Sequence, residues 1–279
     1  MRSFLLAILI LPACNSDSNP SEGGADAATP TGSGGTRGTD SGGQAADASI
    51  PVVIADGGSQ YFGEPHTGNF WLGPVDYAET EWHNACAPSV KYPAGIQQLY
   101  GNYIMGLANE VVLGNLTAGS GQLCDVCAEL TANGQTLVAH VVTYGQETGP
   151  NDIDVSPEID SALAGATGRT VTWRFITCPT TAPIYYTFDG RDWSNIWFFR
   201  VWIRNARVPV AKVEYRVGAA AWATADWQTD GAWQASSVDF SGGFSLRVTS
   251  IDNQTLEDAI PGLNTFDPNV GIVSHGNFQ

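Results

Sequence analysis

The chain has 279 residues, with 12 Lys and Arg against 28 Asp and Glu, a formal charge of −16. This length suits one large domain or two ordinary ones, and a hydrophobic fraction of 43% is enough for a packed core. Nucleic acid binding is excluded, because phosphate recognition needs clustered basic side chains and the chain's lysines are Lys91 and Lys212 alone.

Residues 1–13 have the composition of an export signal. Arg2 precedes an apolar run, Phe4 to Leu11, which is too short to span a bilayer as a stable helix. The run ends in Leu-Pro-Ala before Cys14, an ending that resembles a bacterial lipobox, in which the cysteine is lipidated. The alternative is an ordinary secretory signal with an incidental cysteine. We predict an exported protein, either an outer-membrane lipoprotein displayed at the cell surface or an extracellular protein, with membrane contact only through the lipid.

Residues 14–58 form a predicted disordered tether. Gly, Ser, Ala, Thr and Asp dominate the stretch, which contains ten glycines and no aromatic residue. Such a composition cannot bury enough apolar surface to order the backbone. We therefore expect the folded part of the chain to begin at about residue 59.

Four cysteines, Cys86, Cys124, Cys127 and Cys178, lie in this folded part. A redox Cys-x-x-Cys pair normally starts a helix, whereas Cys127 leads into a predicted strand, an Asn-Gly turn and a second strand. A zinc site needs four ligands with paired spacing, and the chain has a single such pair. Two disulfides and no metal are therefore predicted. Three connectivities are open, and we expect Cys124 and Cys127 to pair outward with Cys86 and Cys178.

The predicted elements are mostly short strands separated by Gly-rich turns. Helical spacing appears over 96–107, and a second helix is predicted to start at the N-cap Ser156, with Pro157 in its first position and Gly165 at its end. From residue 179 onward we predict strands alone, with the spacing of a β-sandwich. Those strands are expected at 184–188, 196–204, 209–217, 232–240 and 243–250.

Several runs resemble the expansin family in their order and spacing. Asp152–Glu158 resembles the D-[LV]-S-x-x-[AFI] motif of the expansin barrel, and Val171–Pro179 resembles the strand that closes it. Trp197–Asn205, Pro209–Tyr215 and Phe244–Thr249 are similar to the expansin carbohydrate-binding domain. The resemblance covers most of 120–279. It implies a mainly β fold, with a six-stranded double-psi β-barrel at 59–178, similar to family 45 endoglucanases, and an immunoglobulin-like β-sandwich at 179–279.

By this resemblance Asp154 is the functional carboxylate of the barrel. A lone Asp two residues before a helix cap is otherwise a turn or capping carboxylate. The nearby helix N-terminus is expected to depress its pKa, which suits hydrogen bonding to a glucan better than glycosidic protonation. Thr143 stands where the family has a second Asp. The other candidate groove residues are Tyr144, Glu147 and Thr67.

The resemblance also implies an aromatic platform of Trp197 and Phe198, which we extend to Trp202 and Trp227. Strand alternation places Phe198 and Trp202 on one face. Flat rings in a row can stack on pyranose rings, although core packing is the ordinary alternative for any single Trp. Asp230 stands where the family has a third platform aromatic.

The resemblance thus implies a non-hydrolytic expansin-like protein that loosens contacts between polysaccharide chains. We expect a monomer without cofactor that binds cellulose, xyloglucan or a similar neutral glucan, because the region from residue 179 has a net charge of only −3 (7 basic, 10 acidic). One alternative is a β-1,4-glucanase or peptidoglycan-cleaving enzyme on the same barrel. That enzyme would need a second carboxylate, with Asp76, Glu79 and Glu81 as candidates. Another alternative is a carbohydrate-binding adhesin without loosening activity.

Overall fold

A computed structural model of the chain describes residues 61–73, 94–108, 123–145, 149–165, 168–190, 194–268 and 270–279, together with Val75, Tyr77 and Cys86. All of these residues fall within one unit, Ser49–Gln279. The predicted signal, the predicted tether and the predicted lipidation site Cys14 lie outside the described residues. So do the candidate carboxylates Asp76, Glu79, Glu81 and Glu147.

Six strands close into a barrel in the order β1-β5-β2-β4-β3-β6. Their bounds are β1 Tyr61–Leu72, β2 Ile104–Ala108, β3 Cys127–Ala132, β4 Gln135–Gly145, β5 Ile153–Val155 and β6 Thr170–Ile176. The alternation predicted for a half-buried strand is clearest in β6, where Val171, Trp173 and Phe175 point into the core. The Asn133-Gly134 turn, with both residues at positive φ, joins β3 to β4 as a tight hairpin. The predicted mainly β fold and six-stranded barrel are confirmed.

Two described helices, α1 (Ala94–Tyr100) and α2 (Pro157–Leu163), accompany the barrel. Helix α2 begins as predicted, with the Ser156 hydroxyl accepting a hydrogen bond from the backbone N–H of Ile159 at 3.5 Å. The helical spacing over 96–107 is wrong beyond Tyr100, because Gly101 takes a positive φ of 56° that ends α1. Within the described part of the chain, neither helix has the length or the apolar run needed to cross a membrane.

The strands that follow form two sheets. Their bounds are β7 Tyr185–Phe188, β8 Phe198–Arg204, β9 Val210–Arg216, β10 Ala223–Thr224, β11 Asp226–Trp227, β12 Trp233–Ser236, β13 Phe244–Ser250, β14 Thr255–Ile260 and β15 Ile272–Val273. One sheet has the order β10-β9-β13-β14 and the other β11-β12-β8-β7-β15. Phe199 of the second sheet stacks on Phe244 of the first at 5.1 Å between ring centroids, so the core lies between the sheets. We keep residue 178 as the proposed boundary between barrel and sandwich.

Two disulfides are present, Cys86–Cys124 and Cys127–Cys178. This is the outward pairing expected from the sequence. Cys127 opens β3 and Cys178 follows β6, its neighbour in the barrel, so this bond closes the barrel at the point where the chain leaves it. Each of the four cysteine sulfurs belongs to one of these two bonds. Among the residues that the structure describes, no group of His, Cys, Asp and Glu side chains could hold a metal ion.

A buried polar cluster, which we call the junction, joins the barrel to the sandwich. Arg204 of β8 forms an ion pair with Asp125, in the turn before β3, and both side chains are buried. The Tyr100 hydroxyl donates to the side-chain oxygen of Asn205 at 2.9 Å. His140 of β4 lies 3.5 Å from the Asp125 carboxylate. Polar groups from both parts are therefore withdrawn from water together and hold the barrel against the sandwich.

Candidate functional site

Asp154 lies at the centre of a row that crosses four barrel strands. It is paired with Trp71 on β1 and with Gly106 on β2, and Gly106 is paired in turn with Thr143 on β4. Residues paired directly across strands share a face, and the residues on either side of Asp154 in β5 are buried in the barrel. These four residues, the Asp154 row, therefore face outward from the barrel.

Two glycines make room for the Asp154 side chain. A Cβ atom at Gly73 would lie 2.6 Å from the Asp154 carboxyl carbon, closer than any real contact. A Cβ atom at Gly106 would lie 2.8 Å from the Thr143 methyl group and 3.6 Å from the Asp154 Cβ. The space over Gly106 is thus bordered by Asp154 on one side and Thr143 on the other. Because Gly106 has no side chain, the surface between them is a shallow depression.

The pKa of Asp154 is raised above its ordinary value. Burial of the half-exposed carboxyl group is the larger cause, and the negative charge of Asp152 is the second. The expected depression by the helix N-terminus is wrong, because desolvation and the neighbouring carboxylate outweigh it. The pKa of Asp154 therefore gives no argument against glycosidic protonation. The Asp154 carboxyl group can accept hydrogen bonds from glucan hydroxyls when ionised and can also donate one when protonated.

Asp152 is buried and accepts a hydrogen bond from Trp71, the neighbour of Asp154 in the row. One of its carboxylate oxygens accepts hydrogen bonds from the backbone N–H of Asn69 at 2.8 Å and from the Asn69 amide at 3.4 Å. The other oxygen accepts the indole N–H of Trp71 at 3.0 Å. Trp71 is nevertheless 40% exposed. The sequence reasoning missed Trp71, although alternation from the buried Phe70 places it on the outer face.

Of the other predicted groove residues that the structure describes, one belongs to the Asp154 row and two lie outside it. Thr143 belongs to the row and is buried. Tyr144, the next residue, is half-buried and hydrogen-bonded to the Thr229 side chain, and burial raises its pKa. Thr67 is paired with Thr172 on β6, four residues before Trp71 in β1 and therefore about 13 Å along the strand from the row. Its side chain is exposed and lies on the same face of β1 as Trp71, so Thr67 stays a predicted groove residue.

The sandwich presents exposed aromatic rings at the start of β8. Trp197 is 53% exposed, and Phe198 beside it is partly exposed. These two residues form the Trp197–Phe198 patch. Trp227 is also exposed, but its pairing with the inner residue Trp233 places it at the sheet edge on the face opposite to Phe198.

Trp202 is fully buried, which corrects its assignment to the aromatic platform. Its indole N–H donates to the backbone oxygen of Asp230 at 2.9 Å, and the guanidinium groups of Arg200 and Arg204 lie over its ring. Alternation gave its face correctly, but the 230–232 turn and the junction cover that face. A ring without exposed surface cannot stack on a glycan from solvent. Asp230, in place of a platform aromatic, pairs with Arg200 at 2.6 Å.

The barrel row and the patch are linked by a short series of contacts. Tyr144 follows Thr143 of the row and bonds to Thr229 of the sandwich. The next residue, Asp230, is ion-paired with Arg200, which lies two residues beyond Phe198 on the same face of β8. The two candidate binding surfaces are therefore held to each other through protein contacts rather than through a free linker.

Neither a protein-family model nor a curated protein matches the chain. Among solved structures, the chain is similar to the apo expansin of Clavibacter michiganensis, with 16% identity and a TM-score of 0.61 over 77% of this chain and 98% of that one. It is also similar to a mutant Clavibacter michiganensis expansin in complex with cellohexaose, with 14% identity and a TM-score of 0.57 over 76% and 95%. The barrel followed by a sandwich is thus the fold of a bacterial expansin.

Proposed function

We propose that the protein is a non-hydrolytic, expansin-like, carbohydrate-binding protein that loosens contacts between β-glucan chains such as those of cellulose. The observation that carries the proposal is the Asp154 row, in which one outward carboxyl group of raised pKa is flanked by Trp71, Gly106 and Thr143. A carboxyl group in either protonation state can replace hydrogen bonds that glucan chains make with each other. The cellohexaose complex of the similar expansin supports a glucan as the ligand class.

The charges of the sandwich favour a neutral glucan over a polyanion. Its basic side chains are largely neutralised by nearby carboxylates, so they leave little net attraction for a pectin or teichoic acid. Four of them are paired in this way: Arg200 with Asp189 and Asp230, Arg204 with Asp125, Lys212 with Glu214, and Arg247 with Glu214 and Glu257.

Among the residues that the structure describes, the surroundings of Asp154 favour hydrogen bonding over hydrolysis. Glycoside hydrolysis needs two carboxyl groups on opposite sides of the scissile bond. Asp152 is close enough for its charge to act on Asp154, but it is buried and both of its oxygens accept hydrogen bonds from Asn69 or Trp71. A carboxylate engaged in this way is poorly placed to activate water or attack a sugar.

The test is to measure cellulose binding and the weakening of cellulose paper on the same set of variants. Asp154→Ala should abolish the weakening and leave binding unchanged, with Glu158→Gln as a control carboxylate on the first turn of α2. Trp197→Ala should reduce binding by about fivefold or more, with Leu99→Ala as a control for loss of an exposed apolar side chain.

Three outcomes would contradict the proposal. Loss of binding in Asp154→Ala would mean that the assignment of the loosening site is wrong. Release of reducing sugar from soluble glucan or wall sacculi by the wild-type protein would favour the enzyme. Binding to cellulose without any mechanical effect would favour the adhesin.

We also propose that the protein is exported and anchored at the cell surface by a lipid on Cys14. The two disulfides support an oxidising compartment. Growth with labelled palmitate should mark the wild-type protein in the membrane fraction, whereas Cys14→Ser should lose the label. Equal labelling of both proteins would exclude lipidation at this residue.

A further inference from the structure

We propose that Trp71 is a second glycan-stacking residue, on the barrel, and that Asp152 is the positioning residue that holds its ring beside Asp154. The subsite would take one pyranose ring of a neutral glucan. This inference rests on the proposed function, because it names where the same ligand would contact the barrel.

The placement of Trp71 is the first observation. It is paired directly with Asp154 in the parallel register of β1 and β5, so the ring and the carboxyl group stand on the same outer face of the barrel. A pyranose ring stacked on Trp71 would therefore bring its hydroxyl groups towards Asp154.

The way in which Trp71 is held is the second observation. A single exposed Trp on a protein surface is ordinary and needs no function. Here, however, the indole N–H donates to a carboxylate that is itself buried, at 3.0 Å. Burying a carboxylate is costly, and converging donors stabilise Asp152, among them two from Asn69 and one from Trp71.

The consequence is a preorganised ring. Hydrogen bonding of the indole edge to Asp152 restricts rotation of an otherwise exposed side chain, while the ring surface stays 40% accessible. A ligand that stacks on a ring already fixed in place loses less side-chain entropy on binding. Asp152 thus acts on the ligand through Trp71, without touching it.

The test is calorimetric titration of cellohexaose into the full chain and its variants, with binding to insoluble cellulose measured in parallel. Trp71→Ala should weaken cellohexaose binding about fivefold or more. The matched control is Tyr61→Ala, which removes a similarly exposed aromatic ring, 41% accessible, from the other end of the same strand. Tyr61→Ala should leave the affinity unchanged.

Two further variants separate positioning from stacking. Trp71→Phe keeps a ring but loses the N–H that Asp152 accepts, so its affinity should lie between those of the wild type and Trp71→Ala. Asp152→Asn keeps an acceptor oxygen and should bind within about twofold of the wild type, whereas Asp152→Ala should resemble Trp71→Phe. Thermal unfolding of each variant shows that the protein titrated is folded.

The outcomes separate this inference from the proposed function. Unchanged cellohexaose affinity in Trp71→Ala, together with reduced affinity in Trp197→Ala, would overturn the barrel subsite and leave the proposed function standing. Wild-type binding to cellulose without binding to cellohexaose would also overturn the subsite. Wild-type affinity in Trp71→Phe would overturn the role of Asp152. If the wild type bound neither ligand, the proposed function itself would fail.

Discussion

Arg204 of the sandwich and Asp125 of the barrel form an ion pair in which both side chains are buried. The guanidinium also donates to the Thr187 hydroxyl at 3.3 Å, so the charge is hydrogen-bonded on the sandwich side as well. Cys124, which directly precedes Asp125, packs against Gly231 of the sandwich. A Cβ added at Gly231 would lie 2.7 Å from the Cys124 Cβ. The contact between the two parts is therefore close as well as charged, and it should resist hinge motion.

Removing one partner of this ion pair should strongly destabilise the protein. Arg204→Met or Asp125→Asn alone should lower the free energy of unfolding by about 3–5 kcal/mol. Each variant leaves the charge of the other partner buried without a counter-charge. The double variant Arg204→Met with Asp125→Leu should recover part of that loss. Denaturant unfolding checks both, and losses below about 1 kcal/mol in the single variants would contradict a buried pair.

His140 should make stability depend on pH below neutrality. It is buried, it stacks on Tyr100 at 4.1 Å, and burial together with the positive charge of Arg204 lowers its pKa to about 3 from 6.5. The unfolded chain then binds more protons than the folded one between these values, so stability is complete above about pH 6.5 and falls as pH drops towards 3. The slope from one such group reaches about 1.4 kcal/mol per pH unit.

Urea unfolding of the wild type and His140→Gln at about pH 7 and pH 5 checks this prediction. The wild type should lose more stability between the two conditions than the variant, since the carboxylates that also titrate are common to both. Equal losses would mean that His140 is not held neutral in the folded protein.

Truncation of Trp202 should lower the free energy of unfolding much more than truncation of Trp197, five residues away. Trp202→Ala should cost about 3–5 kcal/mol, because it opens a cavity at a site with 0% exposure and leaves the Asp230 carbonyl without its donor. Trp197→Ala should change stability by only about 0.5 kcal/mol. Thermal unfolding of the two variants checks the contrast, which would be refuted by a large loss in Trp197→Ala.

Asp154→Asn should stabilise the protein at neutral pH. The folded-state pKa of Asp154 is raised, so the folded chain binds more protons than the unfolded chain between the ordinary value of 3.8 and the raised one. Stability therefore falls as pH rises through that window, and above it the ionised carboxylate lowers the free energy of unfolding. The neutral amide of Asn removes this destabilisation. The gain should vanish below about pH 3.8.

Local patterns were sufficient for much of the fold. The Asn133-Gly134 pair predicted a hairpin and Ser156 with Pro157 predicted a helix start, and the structure has both. Each depends on a turn or a cap that spans a few residues. The order and spacing of such runs also led to the expansin fold, which the structure and the solved expansins confirm.

The site residues show where local patterns end. Alternation assigned Trp202 to the outer face of β8, but it could not tell that the 230–232 turn and the barrel cover that face. The sequence could not place Trp71 beside Asp154, because that pairing joins strands more than 80 residues apart. The raised pKa of Asp154 likewise depends on burial and on the nearby Asp152 charge.

The sequence by itself thus determined the mainly β composition, the sandwich strands and the presence of two disulfides, since these follow from local periodicity, turn chemistry and cysteine number. The barrel followed from the order and spacing of runs that resemble the expansin family. Only the tertiary structure decided which aromatic rings are exposed and which carboxylates interact. Burial and pKa are sums over neighbours brought from distant parts of the chain, and strand register selects those neighbours. That register places Trp71 beside Asp154 and Trp202 beneath the junction.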